Sequence, residues 1–457
     1  MPANTISKCQ GGDSGGPLPP CLPMSPYTWG YTVAAYPIGG IVGSILSKFT
    51  NARYGRRINL MTACIWMIFG NLLSAVSVNV VMYAVGRAIV GLGAGMYGSA
   101  NAIYIAEITT NKTRGALGSI FESFLNLAIL LSQLSGRYAN YDPVWRILWA
   151  VSSVLALVQF ICLFLFTVET PRRLCMEKKY DEAAASLQKL RGNADIEEEF
   201  QQLLAARQRE EENSGKQLSI WNIISGTDKF ILWRTVIVMV CQGYNQAGGI
   251  GPLSVYSKNI FLGLFDGDDY MASNLVNANG SIKVAATFIA IFFVHKAGRK
   301  KLMMASLLGC TLGCVLLVIG AHGHALPGSI IGGALIFTGF YSFGCGTIPW
   351  FIAPELVPLR GLASATALGS ASNWSMNFLF NIVWPHMNTG LGNNAFVVFC
   401  VINFVGFLFM LFFLPETTGK SLDSQCDDRE KDTETTVESS ASSQGENEKK
   451  QVEYVSN

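Results

Sequence analysis

Charge is what this 457-residue sequence has least of. Asp, Glu, Lys and Arg make up 14% of it, where a soluble domain carries about 25%. The charge is also unevenly spread. Residues 168–234 hold 23 charged side chains and residues 415–457 hold 16, which leaves 25 for the other 347 residues. A soluble protein of this size needs charge over its whole surface, so a soluble globular enzyme is excluded. With 33 basic against 31 acidic residues there is no basic face for phosphates, and a nucleic-acid binder is excluded. A hydrophobic fraction of 50% excludes a disordered chain. The histidines number four and the eleven cysteines show no metal-ligand spacing, so no metal and no cofactor is implied.

What is present is long apolar runs. Eleven have roughly the length that crosses a bilayer, about 20 residues, near 27–48, 58–79, 81–104, 115–136, 145–167, 231–256, 274–295, 302–321, 328–352, 361–384 and 394–414. The chain reads as an all-α multi-pass membrane protein. Lys and Arg set its orientation. One set of short loops holds Arg53, Arg56 and Arg57, then Lys112 and Arg114, then Lys296, Arg299, Lys300 and Lys301, then Arg360, and this side is cytoplasmic. The segmentation follows: an extracytoplasmic tail 1–24, a bundle 25–167 of five spans, a cytoplasmic linker 168–230, a bundle 231–414 of six spans, and a polar tail 415–457 expected to be disordered. The linker reads as short amphipathic helices, for example Asp181–Leu190 and Glu197–Glu212.

The two bundles repeat. Gly55-Arg56-Arg57 recurs 243 residues later as Gly298-Arg299-Lys300. Glu107 precedes Arg114, and Glu355 precedes Arg360. Val168-Glu169-Thr170-Pro171 closes the first bundle and Leu414-Pro415-Glu416-Thr417 the second. Two similar halves mark a secondary transporter. Shifted back by 243, span 231–256 has its partner before residue 1, so the first half shows one span fewer.

The residues Ala52-Arg53-Tyr54-Gly55-Arg56-Arg57, Arg87 with Gly91, Gly93 and Gly95, Tyr104-Ile105-Ala106-Glu107-Ile108, Glu169-Thr170-Pro171-Arg172, Pro349-Trp350-Phe351, Asn373-Trp374 and Pro415-Glu416-Thr417-Thr418-Gly419 stand in fixed order. They resemble the sugar-porter branch of the major facilitator superfamily over residues 20–422, with facilitative glucose transporters and fungal hexose transporters both similar. The resemblance implies two pseudo-symmetric helical bundles with twelve spans, of which the first is expected to be absent from this sequence. It implies a carrier, not an enzyme, moving a hexose, related monosaccharide or polyol by alternating access, as a uniporter or with protons. The expected setting is the lipid bilayer of the plasma membrane or a vacuole-type membrane. The alternatives are a non-transporting sugar sensor and a carrier of a charged or modified sugar.

A sugar offers hydroxyls that donate and accept, and apolar C–H faces, so its site needs amides and aromatic platforms shielded from lipid. Gln242, Asn245 and Gln246 fall on one helical face, and amides facing lipid are unfavourable. By resemblance they occupy hexose-binding positions, together with Trp350, Asn373 and Trp374. Two substitutions depart from the pattern: Glu122 stands where the family has glutamine and Lys283 where it has asparagine. Both are expected in the cavity, and an ion pair between them is the expectation. A conformational latch is expected from Arg56, Arg57, Glu107 and Arg114 in the first half and Arg299, Glu355 and Arg360 in the second. Proton coupling, if present, points to Arg87 and Glu122.

Other signals carry less. Cys9 to Leu18 is similar to the active-site segment of trypsin-like proteases, but no histidine precedes Ser14, and the base is needed. Cys9 and Cys21 lie outside the membrane, where a disulfide is open to them. Sequons at Asn111, Asn279 and Asn373 fall in a cytoplasmic loop or within spans, so none is expected to be used.

Overall fold

The computed structural model describes residue 6 and residues 18–110, 113–138, 144–212, 218–262, 268–322 and 327–417. These residues form helices and no strand. The first half comprises α1 (Pro26–Tyr54), α2 (Arg56–Ala75), α3 (Val80–Ile108), α4 (Arg114–Tyr138) and α5 (Trp145–Phe166). The linker folds as α6 (Pro171–Met176), α7 (Tyr180–Arg191), α8 (Glu197–Glu212) and α9 (Ile220–Ile224). The second half comprises α10 (Lys229–Ala247), α11 (Ile250–Leu262), α12 (Asp269–Ala297), α13 (Arg299–His322), α14 (Pro327–Phe343), α15 (Pro349–Leu356), α16 (Leu359–Leu391) and α17 (Ala395–Phe413).

Seven of these helices are long and apolar enough to cross a membrane: α1, α2, α3, α5, α12, α13 and α17. The chain is an integral membrane protein. Large apolar side chains point outward from them, Phe166 at 80% exposure and Phe412 at 72%, as lipid-facing positions do. The remaining passes are α4, α16 and two that are broken. Span 231–256 is not continuous. It divides at Gly248–Gly249 into α10 and α11, where Gly249 takes φ 104° and a Cβ would lie 2.8 Å from the Phe399 ring. Span 328–352 divides likewise into α14 and α15 before Pro349, which cannot supply a helical N–H. Side chains start the helices where sequence allows: Asn79 caps α3 through Met82 N at 2.8 Å, and Asp228 caps α10 through Phe230 N at 3.1 Å.

Glycine packs α1 onto α3. A Cβ on Gly39 would lie 1.9 Å from the Ala88 carbonyl oxygen, and one on Gly43 2.0 Å from that of Leu92. From the other side, a Cβ on Gly91 would lie 1.9 Å from the Tyr36 oxygen, and one on Gly95 2.1 Å from the Gly40 oxygen. Only glycine permits this approach, and van der Waals packing is the main attraction between helices in lipid. The linker is less solvated than its charge implies. Leu174, Cys175 and Ala183 are buried and pack against Phe200, Leu203 and Leu204, and Arg191 ties the linker to the end of α3 through the Ile108 carbonyl at 3.0 Å.

The N-terminal segment is anchored to the first half. Buried Arg146 donates to the carbonyls of Pro19 and Ala75 at 2.6 Å and of Ser77 at 2.9 Å, and Trp145 Nε1 donates to Pro20 O at 2.7 Å. Ile6 and Leu22 pack with Tyr83, Trp145 and Trp149. Cys21 is disulfide-bonded. Cys9 and the tail beyond residue 417 lie outside the described residues.

Candidate substrate site and charged girdles

The two halves meet along two seams. In one, α1 lies on α16: the hydroxyls of Ser44 and Ser370 are 2.8 Å apart, and Trp374 packs on Gly40 and edge-on to Tyr36, ring centroids 5.2 Å apart. In the other, α4 lies on α12: Asn126 Nδ2 donates to Thr287 Oγ1 at 3.1 Å. Trp350 reaches the first half from α15, edge-on to Phe121 with centroids 5.2 Å apart. It helps to line a small cavity with Gly98, Asn101, Gly118, Phe121 and Phe351.

Gln242, Asn245, Gln246 and Asn373 do come together, in one hydrogen-bonded ladder between α10 and α16. Asn373 Nδ2 donates to Asn245 Oδ1 at 3.0 Å, Gln246 Nε2 to the same oxygen at 2.9 Å, and Asn377 Nδ2 to Gln246 Oε1 at 3.1 Å. Asn381 extends it, donating to Asn377 Oδ1 at 2.9 Å. Asn377 and Asn381 were not singled out from sequence, although the spacing 373, 377, 381 puts the three asparagines on one helical face. The ladder also repairs the broken pass. Gln242 Nε2 donates to the Pro349 carbonyl at 2.7 Å, and Asn245 Nδ2 to those of Cys345 and Gly346 at 2.8 and 3.3 Å. A helix break at membrane depth persists only where its carbonyls find such donors.

The Glu122–Lys283 ion pair expected from sequence is not formed. The two are electrostatic neighbours, yet no contact within 4.0 Å joins them. Glu122 Oε1 accepts from Asn126 Nδ2 at 3.1 Å, and Oε2 has no partner. Lys283 Nζ lies 5.4 Å from the centre of the Tyr341 ring. The reason is register: along the antiparallel α4 and α12, Asn126 meets Thr287, which offsets Glu122 and Lys283 lengthwise. Arg87 sits between aromatic faces, its guanidinium carbon 5.5 Å from the Tyr36 centroid and 5.8 Å from Trp149. Such cation–π contacts favour a buried cation.

At one end of the bundle the halves repeat most of a bonding pattern, although Arg299 Nε also donates to Glu355 Oε2 at 3.1 Å while Arg56 Nε has no partner. Arg56 Nη2 meets Glu107 Oε1 at 2.8 Å, and Arg299 Nη2 meets Glu355 Oε1 at 2.8 Å. Thr170 Oγ1 donates to Glu107 at 2.7 Å, and Thr417 Oγ1 to Glu355 at 2.6 Å. Glu169 accepts from Arg56 N at 3.0 Å, and Glu416 from Arg299 N at 2.9 Å. Gly55 at φ 91° and Gly298 at φ 88° make room, since a Cβ on either would lie 2.4 or 2.5 Å from those carboxylates. Burial pushes the Glu169 carboxyl above its ordinary range, opposed by the N–H groups of Thr170, Arg56 and Arg57. Each of the two Arg–Glu pairs lies inside its own half, where the sequence groups these residues. Two latch expectations change. Arg57 donates instead to the Phe164 carbonyl at 2.6 Å, because its side chain leaves the helix on the α5 side. Arg360 pairs with Asp228 at the start of α10. The Arg114 side chain lies outside the described residues.

Comparison with known proteins agrees with this arrangement. The family model described as "Sugar (and other) transporter" matches residues 5–427. The facilitated glucose transporter member 2 of Gallus gallus is 31% identical over 405 residues, 86% of this chain and 74% of that protein. Human facilitated glucose transporter member 3 is 30% identical over 422 residues, 89% of this chain and 83% of that one. Among solved structures, the proton:xylose symporter XylE bound to 6-bromo-6-deoxy-D-glucose superposes with TM-score 0.75 at 23% identity, covering 87% of this chain and 88% of that one. Its inward-open form from E. coli gives 0.64 at 24% identity, covering 87% and 88%. The fold is therefore that of the major facilitator superfamily.

Proposed function

Because the chain belongs to the sugar (and other) transporter family, we propose that it carries a hexose, or a related monosaccharide or polyol, across its membrane by alternating access, without covalent chemistry on the substrate. The observation that carries this reading is the amide ladder of Gln242, Asn245, Gln246 and Asn373 beside Trp350 and Trp374, where the halves meet. Amides match hydroxyls that donate and accept, and indole faces match sugar C–H faces. The two halves then rock about the seams, exposing this place to either side in turn. The girdles brace each half so that it moves as one body. Arg87 and Glu122 are the residues on which coupling to protons would rest. The plasma membrane or a vacuole-type membrane is the proposed location.

The test is uptake of labelled hexose into proteoliposomes. Gln242→Ala and Trp350→Ala each remove a group from the site, and each is expected to raise KM roughly tenfold or more. Uptake at two pH values reports coupling. Wild-type kinetics in both variants would overturn the assignment of the site.

A further inference from the structure

The seam between α4 and α12 holds two opposite charges that are not paired. Glu122 is 3% exposed and spends one oxygen on Asn126, leaving Oε2 without a hydrogen bond. The indole N–H of Trp350 lies near enough to act on the Glu122 carboxylate, outside regular hydrogen-bond geometry. The Lys283 ammonium lies across the seam in the other half, over the ring of Tyr341, with no hydrogen bond or ion pair of its own among the described residues. Asn126 and Thr287 stand between them, and Thr287 Oγ1 in turn bonds the Lys283 carbonyl. The matching seam, α1 on α16, is joined by the serine hydroxyl pair and by Trp374 against Gly40 and Tyr36.

A buried charge without a counter-charge is strongly unfavourable. Two opposite charges that act on each other without forming an ion pair keep this seam neutral overall while each retains hydrogen-bonding capacity. Resting on the transport reading above, we propose that Glu122 and Lys283 are a charge-balanced selectivity pair. Together they admit neutral polyhydroxy substrates, with hydroxyls donating to Glu122 and accepting from Lys283. They reject amino sugars through Lys283 and uronic acids through Glu122. A merely structural pair would have closed to contact, and a merely hydrophilic cavity would not need two charges of opposite sign.

The proposal makes a sign-reversing prediction. Glu122→Gln leaves the cavity positive and is expected to favour uronates. Lys283→Asn leaves it negative and is expected to favour protonated amino sugars. The double variant returns the cavity to neutrality and is expected to favour neither. Competition of D-glucuronate and D-glucosamine against labelled neutral hexose, at about pH 6 where the amine is protonated and the uronate ionised, reads the ratio directly. Each single change should shift it roughly tenfold or more, in opposite directions, given Coulomb energies at a low effective dielectric. Ligand-dependent thermal shifts of the purified variants give the same ratio for any variant that binds but does not transport, and the neutral double variant controls for folding. Ratios that stay put in both single variants, or that move in the same direction, overturn the proposal while leaving sugar transport intact. Failure of the unaltered protein to take up any neutral sugar overturns both.

Discussion

The two girdles and the two membrane seams belong to the same internal repeat but differ in how far they repeat. Arg56, Glu107, Thr170, Glu169 and Gly55 have counterparts in Arg299, Glu355, Thr417, Glu416 and Gly298, with Arg–Glu distances of 2.8 Å in both halves. The seams share only their general shape. One carries two serines, and the other a carboxylate, an ammonium and an amide–hydroxyl bond. The girdle has one task in each half, to fix a tight loop, and the same chemistry solves it twice. The seams join the two halves to each other, and no bond in one constrains the bonds of the other, so their chemistry is free to diverge.

Breaking the girdles in matched pairs tests how far the equivalence goes. Arg56→Ala and Arg299→Ala each take the arginine partner from a buried glutamate, at a cost of about 3–5 kcal/mol. Thermal unfolding in detergent should show both to be similarly destabilised. A large effect in one half with none in the other breaks the comparison. Gly55→Ala and Gly298→Ala come next. Positive φ disfavours alanine by about 1–2 kcal/mol, and the added Cβ must also displace Glu169 or Glu416. The two should lose stability in equal measure. The smallest effect belongs to the linker. Arg191 holds Glu199 below the usual carboxylate range. Its contribution is therefore present above the unfolded carboxylate pKa and fades as pH falls through the lower folded value. Glu199→Gln should remove less than about 1 kcal/mol at neutral pH and flatten that acid dependence, as followed by proteolysis of the linker.

The passes, the repeat and the girdle residues were legible because each leaves a local trace: apolar length, Gly-Arg-Arg, Glu-Thr-Pro. Gln242, Asn245 and Gln246 were legible because amides are unfavourable against lipid. The helix breaks at Gly248 and before Pro349 were not, since the hydropathy runs through them. Nor were the seam bonds, Ser44 to Ser370 and Asn126 to Thr287, which join residues 326 and 161 positions apart. Glu122 and Lys283 showed the signs of their charges, but the distance between them depends on the register of α4 against α12, which no local pattern encodes.

The amide side chains that mend the broken pass also answer a question about affinity. The hydrogens that Gln242 and Asn245 would offer a sugar already belong to the carbonyls of Pro349, Cys345 and Gly346. The protein's own backbone is thus a competing ligand, permanently tethered in the vicinity of its own site. A substrate exchanges one hydrogen bond for another, and its departure is aided by the carbonyl waiting to return. Binding built this way is shallow and quickly reversed, which suits a protein that must release what it holds on the far side. It also ties the ladder to the break between α14 and α15, since Gln242 holds the Pro349 carbonyl at the start of the short helix that carries Trp350.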